Sequence, residues 1–226
     1  MADRTDVVSA IEAGDAELLD RMVAEAPELA AARDDEGVSA LLLARYRGRQ
    51  DLVEILLRRA PALDVFEAAA LGDAARLTHL IEDDPPVVTA WSPDGFTPLH
   101  LASFFGHTDV VLLLLDAGAD PSSTSRNAMA VMPLHSAVAG RSGDVVERLV
   151  EAGADVNARQ RHGWTALHGA AQHGDIAIIR YLLAHGAHPD STNDEDKSAA
   201  DLAKQSGHAE VERTLLAEID PHGSTP

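Results

Sequence analysis

The stretch TPLHLASFFGHTDVVLLLLDAGAD, from Thr97 to Asp120, decides the fold because related stretches recur along the chain at a nearly constant interval. Clear copies begin at Met132, Thr165 and Ser198, so successive starts are 35, 33 and 33 residues apart. Alignment on the glycine of FFGH finds weaker copies upstream, at Gly14, Gly48 and Gly72. A period of this length over almost the whole chain predicts a solenoid of stacked units, because one unit alone cannot bury its apolar face.

Each unit is predicted to form two short antiparallel helices. Apolar residues recur four, five, eight and nine positions after each aligned glycine, and that spacing is one face of a helix. Thr97 can cap the first helix and Pro98 suits its first position, where the missing N–H costs nothing. The second helix is expected to end at a left-handed glycine such as Gly118, Gly153 or Gly186. Small residues should let the first helices pack closely: Ala102, Ala137, Ala170 and Ala203.

With these T-P-L-H and G-A-D motifs at this period, the sequence resembles the ankyrin-repeat family. The resemblance implies an all-α solenoid of stacked helix-turn-helix units with short hairpin-like finger loops. We expect degenerate repeats over residues 1–61, a main stack over 62–219 and a flexible tail over 220–226. The clearest repeats span residues 94–123, 129–158, 162–191 and 195–219.

Three stretches depart from the family pattern. Pro27 and Pro61 replace the glycine exit of the second helix, and the interval from Gly48 to Gly72 is only 24 residues. This predicts a seam near Pro61 without a projecting finger, which is either a hinge or a repacked junction. Residues 82–95, EDDPPVVTAWSPDG, are predicted to form a stiffened loop. Further on, Met132 stands in the place of the capping threonine.

The composition excludes several classes of function. With 37 acidic and 18 basic residues, the formal net charge of -19 disfavours nucleic acid and membrane surfaces, and it favours a partner with a basic and apolar surface or else serves solubility. The lack of cysteine excludes disulfides and a thiolate zinc site. No apolar run approaches membrane-spanning length, and the first ten residues do not resemble a secretory signal. We expect a soluble, cytoplasmic monomer without a cofactor.

The histidines are the most plausible source of chemistry, but their placement argues against it. The resemblance implies that His100, His135 and His168, which share one repeat position, hydrogen-bond neighbouring turns together. As metal ligands, His168 and His173 are poorly placed, because they lie about 140° apart around one helix and so do not share a face. No nucleophile elbow or phosphate-binding loop is present. We therefore predict that the protein is not an enzyme, and a histidine-dependent metal hydrolase is the alternative from another class.

The resemblance implies that a partner protein binds the finger tips and the concave face of the first helices. On the helices, the candidate binding residues are Tyr46, Arg47, Leu71, Phe104, Phe105, Gln172 and His173. On the fingers, they are Trp91, Phe96, Met129, Val131, Arg161 and Trp164. These aromatic residues either anchor a partner or cover the core. The predicted function is non-enzymatic protein binding centred on Phe104 and Phe105; an inhibitor or immunity-type protein that masks a partner's active surface, and a structural spacer, are alternatives.

Overall fold

A computed structural model describes residues 3–59 and 62–219 of the chain as consecutive helix pairs. The first helices of the pairs are α1 (Arg4–Ala13), α3 (Ala40–Tyr46), α5 (Val65–Leu71), α7 (Pro98–Phe105), α9 (Pro133–Ala139), α11 (Ala166–His173) and α13 (Ala199–Gln205). The second helices are α2 (Ala16–Glu25), α4 (Gln50–Leu57), α6 (Ala74–Asp83), α8 (Thr108–Asp116), α10 (Gly143–Glu151), α12 (Ile176–Ala184) and α14 (Ala209–Ile219). The all-α repeat solenoid is therefore confirmed.

The first helices form an inner row and the second helices an outer row. Each inner helix packs against the next inner helix along the stack, and each outer helix packs against its own inner partner. The four alanines predicted to allow close packing are fully buried: Ala102, Ala137, Ala170 and Ala203. Because these side chains are small, the inner helices approach closely, and the apolar core lies between the two rows.

Helix starts follow the predicted capping chemistry, with one substitution. The Thr97 hydroxyl accepts the His100 backbone N–H at the start of α7. In the next unit Met132 has no hydroxyl to accept such a bond, although the Met132 N–H donates to His135 Nδ1 at 3.2 Å, as the Thr97 N–H does to His100 Nδ1 at 3.3 Å. The fifth unit, which contains α9 and α10, thus lacks one helix-capping bond that the unit before it makes.

The turn between the two helices of a unit needs a left-handed residue. Gly106 has φ 77°, and an added Cβ would lie only 2.5 Å from Ser142 Oγ of the next unit. In the fifth unit Arg141 takes the left-handed conformation itself, with φ 57°. This conformation costs a non-glycine residue about 1 kcal/mol. The turn nevertheless keeps its position in the repeat where glycine is absent.

A proline follows the end of the outer helices α2 and α6, but the chain after it is not a simple loop. After α2 and α6, 3-10 helices run over Pro27–Ala31 and Pro85–Thr89. The expectation of a stiffened loop over residues 82–95 is therefore wrong for its central part. The reason is that proline presets the backbone for a helical turn, while Val88 becomes buried against the core.

Five hairpin-like fingers join successive units, as the resemblance implies. Each is closed by the same type of bond, from the N–H of an early residue to the carbonyl of a late one. The bonded pairs are Asp34 to Val38 (2.9 Å), Ser92 to Phe96 (2.8 Å), Ser125 to Val131 (2.7 Å), Gln160 to Trp164 (2.8 Å) and Asn193 to Lys197 (3.0 Å).

The buried apolar residues form two clusters that meet along α3. Leu41 belongs to the N-terminal cluster and Leu42 to the main one, while Leu43 packs against both. The proposed seam at Pro61 and the predicted tail over residues 220–226 lie outside the described residues. Within residues 3–59 and 62–219, no helix is both long and apolar enough to cross a membrane.

Candidate functional site

A groove of about 560 Å³ runs along the concave face of three consecutive units. Its floor is formed by the inner helices α7, α9 and α11, and its wall by the fingers that precede them. Eight residues selected from the sequence come together here: Tyr46, Phe96, Phe104, Met129, Val131, Trp164, Gln172 and His173.

The groove is almost free of charge. Helices α7, α9 and α11 contain no Asp, Glu, Lys or Arg. The only carboxylate of the lining is Asp94, whose Oδ2 accepts the Tyr46 hydroxyl at 2.7 Å and whose Oδ1 accepts the Ser92 hydroxyl. Burial and this carboxylate raise the pKa of Tyr46, so its hydroxyl stays protonated and remains a donor. The surface offered to a partner is therefore mainly apolar.

Phe104 and Phe105 have different surroundings although they are adjacent in sequence. Phe104 lines the groove and is 39% exposed. Phe105 is half-buried, stacks on Tyr46 at 6.0 Å between ring centroids, and is covered by the Arg45 guanidinium at 4.4 Å. The two rings contact each other edge to face at 5.0 Å. Phe105 thus supports Phe104 from below and is not itself part of the groove lining.

Four other candidates also lie outside the lining. Leu71 packs against the N-terminal cluster, and Arg47 pairs with Glu12 at 3.3 Å. Trp91 is half-buried under the Arg126 guanidinium, which lies 4.3 Å from its ring. Arg161 lies on the finger beside the groove, where its backbone N–H donates to the Met129 carbonyl at 3.2 Å.

Sequence reasoning missed the small residues that create the groove. Ser136, Ala139 and Gly169 line its floor, where larger side chains would fill the space. At Gly169 even an added Cβ would come within 3.1 Å of Val138 Cγ1. The sequence signal for the groove is a small or short polar residue on the solvent side of each inner helix. Large aromatic residues alone do not reveal it.

Three histidines brace the fingers, and two of them, His100 and His135, also line the groove. His100 Nδ1 accepts the Thr97 hydroxyl at 2.7 Å, and its Nε2–H donates to the Val131 carbonyl at 3.1 Å in the next finger. His168 repeats this arrangement, with Nδ1 accepting the Thr165 hydroxyl at 2.8 Å and Nε2–H donating to the Lys197 carbonyl at 3.1 Å. His135 donates to the Ala158 carbonyl at 3.2 Å, and its Nδ1 accepts the Met132 N–H at 3.2 Å. These are the loop-tying bonds that the resemblance implies.

The same environment keeps these histidines neutral. Burial lowers the pKa of His100 and of His135 from the ordinary 6.5 to about 4, and it lowers the pKa of His168 as well. With both ring nitrogens engaged, the three side chains have no free lone pair for a metal or a proton. Across the described residues, no three His, Asp or Glu side chains group so as to hold a metal ion.

Comparisons with known proteins agree with this architecture. A family model described as Ankyrin repeats (3 copies) matches residues 7–125, 65–160 and 134–225. The chain is 37% identical over 183 residues to human ankyrin repeat and SOCS box protein 3, covering 76% of this chain and 35% of that protein. It is 33% identical over 124 residues to mouse ankyrin repeat and SAM domain-containing protein 6, covering 55% and 10% of the two chains.

A third relative is the Caenorhabditis elegans transient receptor potential cation channel subfamily A member 1 homolog, which is 34% identical over 152 residues. That match covers 67% of this chain and 12% of the channel homolog. The matches thus span between about a tenth and a third of these three relatives' own lengths. Because the family model covers nearly the whole sequence, the chain belongs to the ankyrin-repeat family, whose repeats are in general protein–protein interaction modules.

Proposed function

We propose that the chain is a non-enzymatic protein that binds a partner protein in the groove over α7, α9 and α11. One observation carries the proposal, namely the exposure of large apolar side chains around an uncharged groove. Phe104 is 39% and Met129 50% exposed, although neither contributes to the core. Contiguous apolar surface of this kind on a folded protein is typical of a contact site.

The rigidity of the fingers supports binding by surface complementarity. Backbone bonds join the last four fingers in succession: the Arg126 N–H donates to Gly95 at 2.8 Å, the Arg161 N–H to Met129 at 3.2 Å, and the Asp194 N–H to His162 at 3.0 Å. The histidines behind the fingers add side-chain bonds to the same ladder. Since the surface is already ordered, a partner loses less entropy on docking.

The polar groups of the groove support a role without catalysis. His100 and His135 have both ring nitrogens bonded, and Asp94 has both oxygens bonded. A general base needs an available lone pair near its reacting group. His173 also lines the groove, and its Nδ1 has no hydrogen-bond partner among the described residues. The groove therefore offers mainly orientation and apolar contact.

The net charge of -19 favours some partner proteins over others through the charge of their whole surface. At long range this charge attracts a protein with a basic surface and keeps copies of the chain apart, which is consistent with a monomer. An inhibitor that masks its partner's active surface would use the same groove, so one test covers binding in either role.

The test compares proteins captured from native lysate by three forms of the purified chain. Phe104→Ser with Met129→Ser removes the apolar rim of the groove. Leu112→Ser is the matched control, because Leu112 is 42% exposed on the outer helix α8. We expect the wild type and the control to capture the same partner and the groove variant to lose it. Capture of that partner by all three forms would refute the proposal.

A further inference from the structure

The lining of the groove contains a single carboxylate, Asp94, and no lysine or arginine. The two oxygens of this carboxylate accept the hydroxyls of Tyr46 and Ser92. Both donors are neutral, so these bonds position the carboxylate and leave its negative charge in place. A carboxylate has about four acceptor positions, and about two of them therefore remain for an incoming donor.

Asp94 is held by three neighbouring segments and has no cation beside it. Tyr46 belongs to α3, Ser92 to the same finger as Asp94, and Asn127 of the next finger donates a side-chain N–H to the Asp94 carbonyl at 2.9 Å. Within residues 3–59 and 62–219, no Lys, Arg or His side chain forms an ion pair with Asp94. One end of the groove thus presents a fixed negative charge without its counterpart.

The nearby arginines are engaged outside the lining. The Arg45 guanidinium lies 4.4 Å from the centroid of the Phe105 ring, and that of Arg126 lies 4.3 Å from the Trp91 ring. Arg161 donates from its side chain to a backbone carbonyl of the preceding finger at 3.3 Å. A bound segment therefore contacts Asp94 directly, whereas these arginines act on it through solvent, where charges are screened over about 8 Å.

A partner that docks on the apolar rim would cover this carboxylate. Phe104 and Met129, the exposed apolar side chains, line the same groove as Asp94. Removing a carboxylate from water is costly unless an opposite charge compensates for the lost hydration. The groove should therefore disfavour neutral and acidic segments as well as attract basic ones.

We infer that the groove takes a short segment of the partner in which a basic residue pairs with Asp94 and a large apolar residue contacts Phe104 and Met129. The floor consists of three inner helices, and two interhelical distances of about 8–10 Å each give it a length of about 16–20 Å. An extended chain covers that length with about six residues at about 3.3 Å per residue. This inference rests on the proposed function and specifies the chemistry of the segment.

The test uses a phage-displayed library of random peptides selected on the purified full chain. We expect enriched peptides to contain arginine or lysine together with a large apolar residue. Fluorescence anisotropy then measures the affinity of one enriched peptide and of the same peptide with arginine changed to citrulline, or lysine to acetyl-lysine, which removes the charge. For the wild type, the uncharged version should bind about ten-fold more weakly.

Asp94→Asn provides the second measurement, because it removes the charge and keeps a side-chain carbonyl that can accept a hydroxyl. The basic peptide should bind this variant about ten-fold more weakly than the wild type, whereas the uncharged peptide should bind both equally. Asp116→Asn is the matched control, because it changes the net charge by the same amount at an exposed position at the end of the outer helix α8. It should leave both affinities unchanged. The thermal unfolding midpoint of each variant checks that the fingers still fold.

The outcomes separate the two proposals. Loss of every enriched peptide from Phe104→Ser with Met129→Ser, together with a basic and apolar consensus, supports both. Groove-dependent peptides with an acidic or uncharged consensus overturn the inference and leave the proposed function intact. Peptides that ignore the groove variant overturn the proposed function.

Three further results count against the inference alone. A basic peptide that the wild type binds no better than its uncharged version shows that Asp94 does not select the charge, and this comparison needs no variant. A selection that yields no peptide shows that the occupant is not a short segment. A groove-dependent dimer of the wild type in light scattering shows that a second copy is the occupant.

Discussion

The concave face differs between the N-terminal units, residues 3–59, and the groove repeats, residues 97–186. In the N-terminal units, Arg47 at the end of α3 forms an ion pair with Glu12 of α1 at 3.3 Å. In the groove repeats the corresponding surface has Ala139 and Gly169, and the space stays open. The same helix pair therefore gives a closed or an open face, depending on a few inner-helix residues outside the core.

The largest expected difference between the two regions is their response to acid, because residues 3–59 contain no histidine. Unfolded histidine takes up a proton near pH 6.5, whereas folded His100 and His135 do so only at about 4. Between these values the unfolded state binds more protons, so stability falls as pH falls. The loss at pH 4 is on the order of 3 kcal/mol per histidine.

Chemical denaturation at pH 6.5 and 4.5 measures this effect through Trp91 and Trp164, which both lie close to bracing histidines. His135→Gln should reduce the difference in unfolding free energy between the two pH values. The control His79→Gln, which removes an exposed histidine on α6, should retain it. An equal difference in both variants would show that carboxylates, and not the bracing histidines, cause the acid sensitivity.

Glycine substitution probes how tightly the two regions pack. A Cβ at Gly140 would overlap the Phe104 carbonyl oxygen, and backbone atoms cannot move aside without shifting α7. We expect Gly140→Ala to cost about 3 kcal/mol of unfolding free energy. Gly48→Ala, in the N-terminal units, meets no atom within 4 Å and should cost about 1 kcal/mol through its positive φ alone. Equal losses in urea unfolding would contradict this contrast.

The adjacent phenylalanines should separate binding from stability. Phe105→Ala removes the stack between α3 and α7 and is expected to cost about 2 kcal/mol of unfolding free energy. Phe104→Ala should cost less than about 1 kcal/mol, since its ring is more exposed. It should nevertheless weaken partner binding more than Phe105→Ala does. Urea unfolding and capture of the partner from lysate, both measured on the same two variants, test the assignment. The assignment fails if both variants lose mainly stability or both lose mainly binding.

The smallest effect concerns the missing cap in the fifth unit. Met132→Thr supplies a hydroxyl where α9 has none and should raise the unfolding free energy by about 1 kcal/mol. Thr97→Val, which removes the hydroxyl from α7 at the equivalent position, should lower it by a similar amount. If Met132→Thr is neutral in urea unfolding, a hydroxyl cap does not stabilise this helix start.

Local signals were enough to predict the helices but not the groove. Thr97, Pro98 and Gly106 fix the start of α7 and the turn that follows it through bonds within a few residues, so the sequence reveals them. Phe104 and Phe105 occupy equivalent-looking positions, and their roles differ only because Tyr46 and Arg45 cover one ring. Tyr46 and Arg45 belong to α3 and Phe105 to α7, and the three alanines of the intervening α5, Ala68, Ala69 and Ala70, are fully buried.

The inner helix α11 has two sides with separate tasks. Leu167, Ala170 and Ala171 are buried in the core, whereas Gly169, Gln172 and His173 face the groove. Selection can therefore act on the second set without disturbing the first. A lineage of such chains would keep its stack while exchanging one partner for another, and divergence among its members should accumulate at Gln172 and His173 before it reaches Ala170.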